Sequence, residues 1–104
     1  MKTYFGSFDE DLWGKMDTLA SLEKTTITNW IDEKVRKNIN SINANNYQEN
    51  KDYQRKKIRL KEDLHRKIKT ESHLQECSMR DIIQAVIEKE YKKVKNKTLD
   101  ELLN

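Results

Sequence analysis

The chain has 104 residues, a single domain by length, and each half falls below the size at which a fold usually stands unaided. Charged residues at 38% outnumber hydrophobic ones at 35%, so the core is thin; two glycines and no proline argue against a turn-rich all-β protein and favour long helices. The lone Cys77 excludes an internal disulfide and fits a reducing cytoplasm, the expected location, and no apolar run reaches membrane-spanning length or forms a secretion signal.

The elements come in two matching sets. Adding 52 to each residue number lays the first half on the second without a gap: Glu10-Asp11-Leu12 falls on Glu62-Asp63-Leu64, and Lys15/Lys67, Thr18/Thr70, Leu22/Leu74, Ile31/Ile83 and Lys37/Lys89 are identical pairs. A duplicated unit this short buries its apolar face only against another unit. In the first copy Tyr4 to Phe8 alternates as a strand, Leu12, Met16, Leu19 and Ala20 follow at helical spacing, and Thr26 caps a second helix carrying Ile27, Trp30, Ile31 and Val35. The polar, Asn-rich stretch from Asn40 to Asn50 reads as a flexible linker. In the second copy Lys57-Ile58-Arg59-Leu60 alternates as a strand; Glu62-Asp63 open a helix with Leu64, Ile68 and Ser72 on one face and Leu74 closing it; Ser78 caps a helix with Met79, Ile82, Ile83, Val86, Ile87 and Tyr91. After the basic run Lys89 to Lys97, Thr98-Leu99-Asp100-Glu101 resembles a capping box opening a short helix with Leu99, Leu102 and Leu103.

The predicted fold is therefore mainly α with a short β-ribbon: a strand-helix-helix unit at 1–39, a linker at 40–54, a second unit at 55–97 and a helical tail at 98–104. Charge divides unevenly, with residues 1–52 at −2 and residues 53–104 at +5, and a basic surface on the second half suits a polyanion.

The run from Lys57 to Ile68, with Ser72, Leu74 and Ser78-Met79-Arg80-Asp81-Ile82-Ile83-Gln84-Ala85-Val86-Ile87, resembles a ribbon-helix-helix DNA-binding unit. The first copy matches through Phe8, Leu12, Met16, Ala20, Thr26, Ile31 and Val35, and the tandem form is most similar to the TraY family of conjugative relaxosome accessory proteins. That resemblance implies two units intertwined, their strands paired into an antiparallel ribbon that enters the major groove of duplex DNA. The chain departs from the family pattern in three places. The interhelical turns Leu22-Glu23-Lys24-Thr25 and Leu74-Gln75-Glu76-Cys77 lack the usual Gly, Lys34 stands at an often apolar position, and Gly6 sits opposite Ile58 in the repeat register.

With Ile58 and Leu60 facing the core, alternation turns Arg55, Lys57 and Arg59 outward, where Arg and Lys would read guanine edges. Their counterparts in the first strand, Thr3, Phe5 and Ser7, would bond to bases or pack on a thymine methyl. The starts of the second helices, Thr26-Ile27-Thr28 and Ser78-Met79-Arg80, are expected phosphate contacts, because unpaired N–H groups and the positive dipole end meet there.

Pairing of the copies within one chain as a pseudo-dimer is the expected arrangement, with pairing of like copies between chains as its rival. The resemblance implies a plasmid protein that binds repeats near an origin of transfer, associates cooperatively with itself on DNA, reaches a relaxase or another protein through the tail, and represses its own gene. A repressor of a plasmid, phage or chromosomal operon is the alternative, and an interaction module such as an antitoxin is the alternative of another class. His65, His73 and Cys77 supply no fourth ligand for a structural zinc, so no metal is expected. No cofactor motif or nucleophile-base set is evident either, and an enzyme is not expected.

Overall fold

Alternation of side chains about an extended backbone sets the first element, strand β1 (Lys2–Asp9), and its counterpart β2 (Tyr53–Leu60). The computed structural model describes residues 1–44 and 52–103, in which the two strands form one antiparallel sheet and the remainder is mainly helical. Strand β1 pairs with β2 from Lys2 opposite Leu60 to Asp9 opposite Tyr53. Near the centre of the ladder Phe5 lies opposite Lys57, two residues separated by the repeat offset itself.

One face of this ribbon is the floor of the core, where Phe8, Ile58 and Leu60 are buried. Gly6 belongs to that face, and its small size is used rather than wasted. A Cβ placed on it would lie 2.8 Å from the Tyr4 ring and 3.0 Å from the Phe8 ring. Those rings meet edge to face at 6.3 Å and cover the position that Ile58 fills in the other strand.

Helix α1 (Glu10–Leu22) begins at Asp9, whose carboxylate accepts from the amides of Asp11 and Leu12. Its equivalent α3 (Glu62–Leu74) has Lys61 at the cap and no side-chain cap bond. Leu12, Met16, Leu19 and Ala20 of α1, and Leu64, Ile68 and Ser72 of α3, point inward as their spacing predicts. Leu74 does not close the α3 face as expected. It is 73% exposed, as is Leu22 at 68%, because each ends its helix where the chain swings away from the core.

Both helices stop through the same device without glycine. Lys24 and Glu76, 52 residues apart, take φ of 56° and 55°. The amide of Lys24 bonds to Ser21 O and that of Thr25 to Ala20 O; Glu76 and Cys77 repeat this toward His73 and Ser72. This is the Schellman pattern, which closes the last carbonyls of a helix.

Helix α2 (Ile27–Asn38) and helix α4 (Met79–Leu103) complete the core, with Trp30, Ile31, Val35, Ile82, Ile83, Val86 and Ile87 at or below 1% exposure. Each such side chain contributes about 1.5–3 kcal/mol by leaving water. Asn38 of α2 donates its amide to Glu90 of α4 at 2.8 Å, again a pair separated by 52 residues.

Three placements differ from the sequence reading. Strand β2 starts at Tyr53, inside the stretch assigned to the linker. Residues 40–44 of that stretch are anchored: Gln75 accepts from the Ala44 amide at 2.8 Å and donates to Ile42 O, and Ala44 is buried. Residues 45–51 lie outside the described part. Helix α4 continues through Thr98 to Leu103 with no second start, since an unbroken helix adds a bond per residue while a new cap first gives up several. What the tail leucines touch lies outside the described residues.

Candidate nucleic-acid interface

The outward face of the ribbon carries three cross-strand pairs: Thr3 opposite Arg59, Phe5 opposite Lys57 and Ser7 opposite Arg55. All six side chains are exposed, and Phe5 is 55% exposed, an unusual setting for a ring with a buried face within reach. Lys57 and Arg59 make no ion pair with any described residue. The Arg55 guanidinium lies 5.6 Å from the Phe5 centroid on the diagonal of the ladder, a cation–π contact that holds it along the ribbon. The six residues singled out from alternation are thus brought together on one surface, and Arg55 is the one with a positioned head group.

The helix starts are less alike than the repeat implies. Thr26 caps α2 by accepting from the Asn29 amide at 3.2 Å, and no acidic residue stands in that first turn. Ser78 and Asp81 cap α4 reciprocally, the Asp81 amide donating to Ser78 Oγ at 3.1 Å and the Ser78 amide to Asp81 Oδ2 at 3.2 Å. Asp81 also pairs with the Arg80 guanidinium at 3.2 Å, and that guanidinium lies 5.0 Å from the Tyr53 ring. Burial raises the Tyr4 pKa, and a hydrogen bond to the Arg80 backbone partly offsets the rise. Thr26, Ile27 and Thr28 therefore surround a positive helix end without a carboxylate, whereas Ser78, Met79 and Arg80 share theirs with Asp81 and Tyr4.

Behind the ribbon, Lys34 and Arg36 have partners. Lys34, 9% exposed, reaches Glu23 Oε1 at 2.9 Å, while Glu23 Oε2 accepts from the Trp30 indole at 2.7 Å. Burial opposes the Lys34 charge, but Glu23, Glu33 and Glu90 more than offset it and its pKa is raised. Arg36 of α2 grips Asp63 of α3 with two bonds, 2.7 and 3.0 Å, tying the first half to the second. Trp13 is in the core with Lys56 5.7 Å from its ring, so neither tryptophan is presented as a stacking platform.

The remaining titratable groups are dispersed. Cys77 is half-buried in the second turn, its thiol pKa raised by burial and then by Asp81 and Glu71, which makes it a poor nucleophile. Among the described residues no group of three or more His, Cys, Asp or Glu is placed to hold a metal ion, and no helix is long and apolar enough to cross a membrane. Comparison with protein-family models, with curated proteins and with solved structures gave no match.

Proposed function

We propose that the chain is a tandem ribbon-helix-helix protein that binds duplex DNA, its two copies paired within one chain as a pseudo-dimer. The outward face of the β1/β2 ribbon carries this reading: six exposed side chains, three of them basic, on a two-stranded element of the width a major groove accepts. Arg55, Lys57 and Arg59 read base edges, with Thr3, Phe5 and Ser7 completing the surface. Thr26, Ile27 and Thr28 form the stronger phosphate clamp, and Ser78, Met79 and Arg80 the weaker one. Two contacts between residues 52 apart, Phe5 with Lys57 and Asn38 with Glu90, support the intrachain arrangement.

The tandem form supports the narrower proposal of a plasmid relaxosome accessory protein that binds repeats near an origin of transfer and regulates its own gene. Repression of another operon would use the same interface. The test is to sequence duplex fragments retained by the purified chain and to measure affinity for the recovered site as salt rises. Each phosphate neutralised contributes about −0.9 to the slope of log affinity against log salt. A steep slope with one recovered motif is the expected result; a flat slope with no enriched motif refutes DNA binding. Sedimentation should find a folded monomer, or assemblies built from it, and an obligate dimer would refute the intrachain pairing.

A further inference from the structure

We infer that the outer face of α3, together with Lys2, is a second phosphate-binding surface that extends the DNA contact beyond the groove at one end of the ribbon only. This rests on the proposed DNA binding and adds a direction to it. Strand β2 leads into α3 at the end of the ribbon where Lys2 lies opposite Leu60, and β1 leads into α1 at the other end, where Asp9 lies opposite Tyr53. The two ends are structural equivalents with different charge. Residues 9–22 hold one basic and four acidic residues, and residues 61–74 hold four basic and three acidic. One of those three, Asp63, is already engaged by Arg36.

At the α3 end Lys2, Glu62, His65, Arg66 and Lys69 line one groove, so the basic side chains come from both strand and helix. Lys2, Arg66 and Lys69 form no ion pair with a described residue. The His65 pKa is lowered by burial and then by the charges of Lys2 and Lys69, so the cluster already repels a further cation. Cations held together with one carboxylate among them gain from an anion that bridges them, and duplex DNA offers one at each phosphate along its backbone. At the α1 end the corresponding surface carries Glu10, Asp11 and Asp52 about Gly14 and Lys15 and would repel the same backbone. The positions matching His65, Arg66 and Lys69 are Trp13, Gly14 and Asp17.

The backbone is thus held past the groove on the Thr3/Arg59 side and left free on the Ser7/Arg55 side. A protein with a nearly twofold fold is given one orientation on its site. The test is hydroxyl-radical footprinting on a duplex selected by the intact chain, with the double variant Arg66→Ala/Lys69→Ala and, as a control that removes one exposed positive charge elsewhere, Lys37→Ala in the last turn of α2. Wild-type protection should run further on one flank, the double variant should lose that flank alone, and its salt slope should fall by about 1 for each contact removed. Lys37→Ala should keep the asymmetric footprint. Symmetric wild-type protection, or loss of both flanks together in the double variant, overturns the inference while leaving DNA binding in place. Failure of the intact chain to protect any duplex overturns both.

Discussion

Replacing Lys24 and Glu76 by glycine should stabilise the protein, although both substitutions remove side chains and neither touches the core. Each residue sits at a φ near 55°, where an L side chain costs about 1–2 kcal/mol through its Cβ. Glycine removes that cost and gives back about 0.5–1 kcal/mol in chain entropy, for a net gain near 0.5–1 kcal/mol at each turn. Both side chains are exposed, and the bonds that define the turns are made by backbone groups and survive the change. The turns are separate, so the double variant should gain about 1–2 kcal/mol by addition. For a domain of this size each kcal/mol raises Tm by about 4–8 °C. Urea unfolding followed by far-UV circular dichroism measures this directly, with Lys24→Ala and Glu76→Ala as controls that keep the Cβ and should stay within about 0.5 kcal/mol of the parent. A lower midpoint in the glycine variants, at unchanged slope, would refute the assignment of the left-handed turns and with it the equivalence of the halves.

Gly6→Ile, which restores the residue of the matching strand position, should destabilise by about 1–3 kcal/mol in the same assay because the new Cβ meets the Tyr4 and Phe8 rings; no loss would show that the rings do not close there. Arg59→Ala should cost about 1–3 kcal/mol on the selected DNA site and relax preference at one base pair, read by a panel of single-base variants, whereas an equal loss on every duplex would make Arg59 a phosphate contact. Thr26→Ala should weaken binding to all sequences alike and by more than Ser78→Ala, since only the α4 end has a carboxylate in its first turn; the reverse order would remove the unequal clamps. In acid, Arg36 holds the Asp63 carboxyl well below its ordinary 3.8, so its contribution is complete above that value and is lost as pH falls through the depressed one; Asp63→Asn should flatten the fall of Tm with acid, and an unchanged profile would show the pair to be idle.

Much of this architecture was legible in the sequence because it follows from periodicity and from the repeat. Alternation about Ile58 and Leu60 put Arg55, Lys57 and Arg59 on the outer face, and adding 52 carried that assignment to Thr3, Phe5 and Ser7. Thr26 and Ser78 were readable as caps because a hydroxyl before an apolar helical run has few better uses. What escaped were partnerships between residues distant in sequence. Nothing local to Gly6 announces that rings two positions either side will close over it, and nothing local to Lys34 points to Glu23. The stretch after Asn40 read as a linker because its anchor, Gln75, lies more than 30 residues further on. The acidic occupant of the α4 start is visible in Ser78-Met79-Arg80-Asp81, a capping-box spacing that places a carboxylate at the end a phosphate would approach.

The contact between Asn38 and Glu90 bears on how freely the halves can be exchanged. In a homodimer with a true twofold axis, a residue on the axis meets its own copy, so only side chains compatible with themselves can stand there. Two Glu90 carboxylates or two Lys57 ammonium groups face to face would repel. Under the proposed pairing, joining the copies in one chain would lift that restriction, and the two contacts at residues 52 apart do hold unlike partners: an amide with a carboxylate, and a ring with an ammonium group. Under the proposed pairing each half has become the specific complement of the other, and two second halves brought together from neighbouring molecules would place Lys57 against Lys57 and Glu90 against Glu90 at the centre.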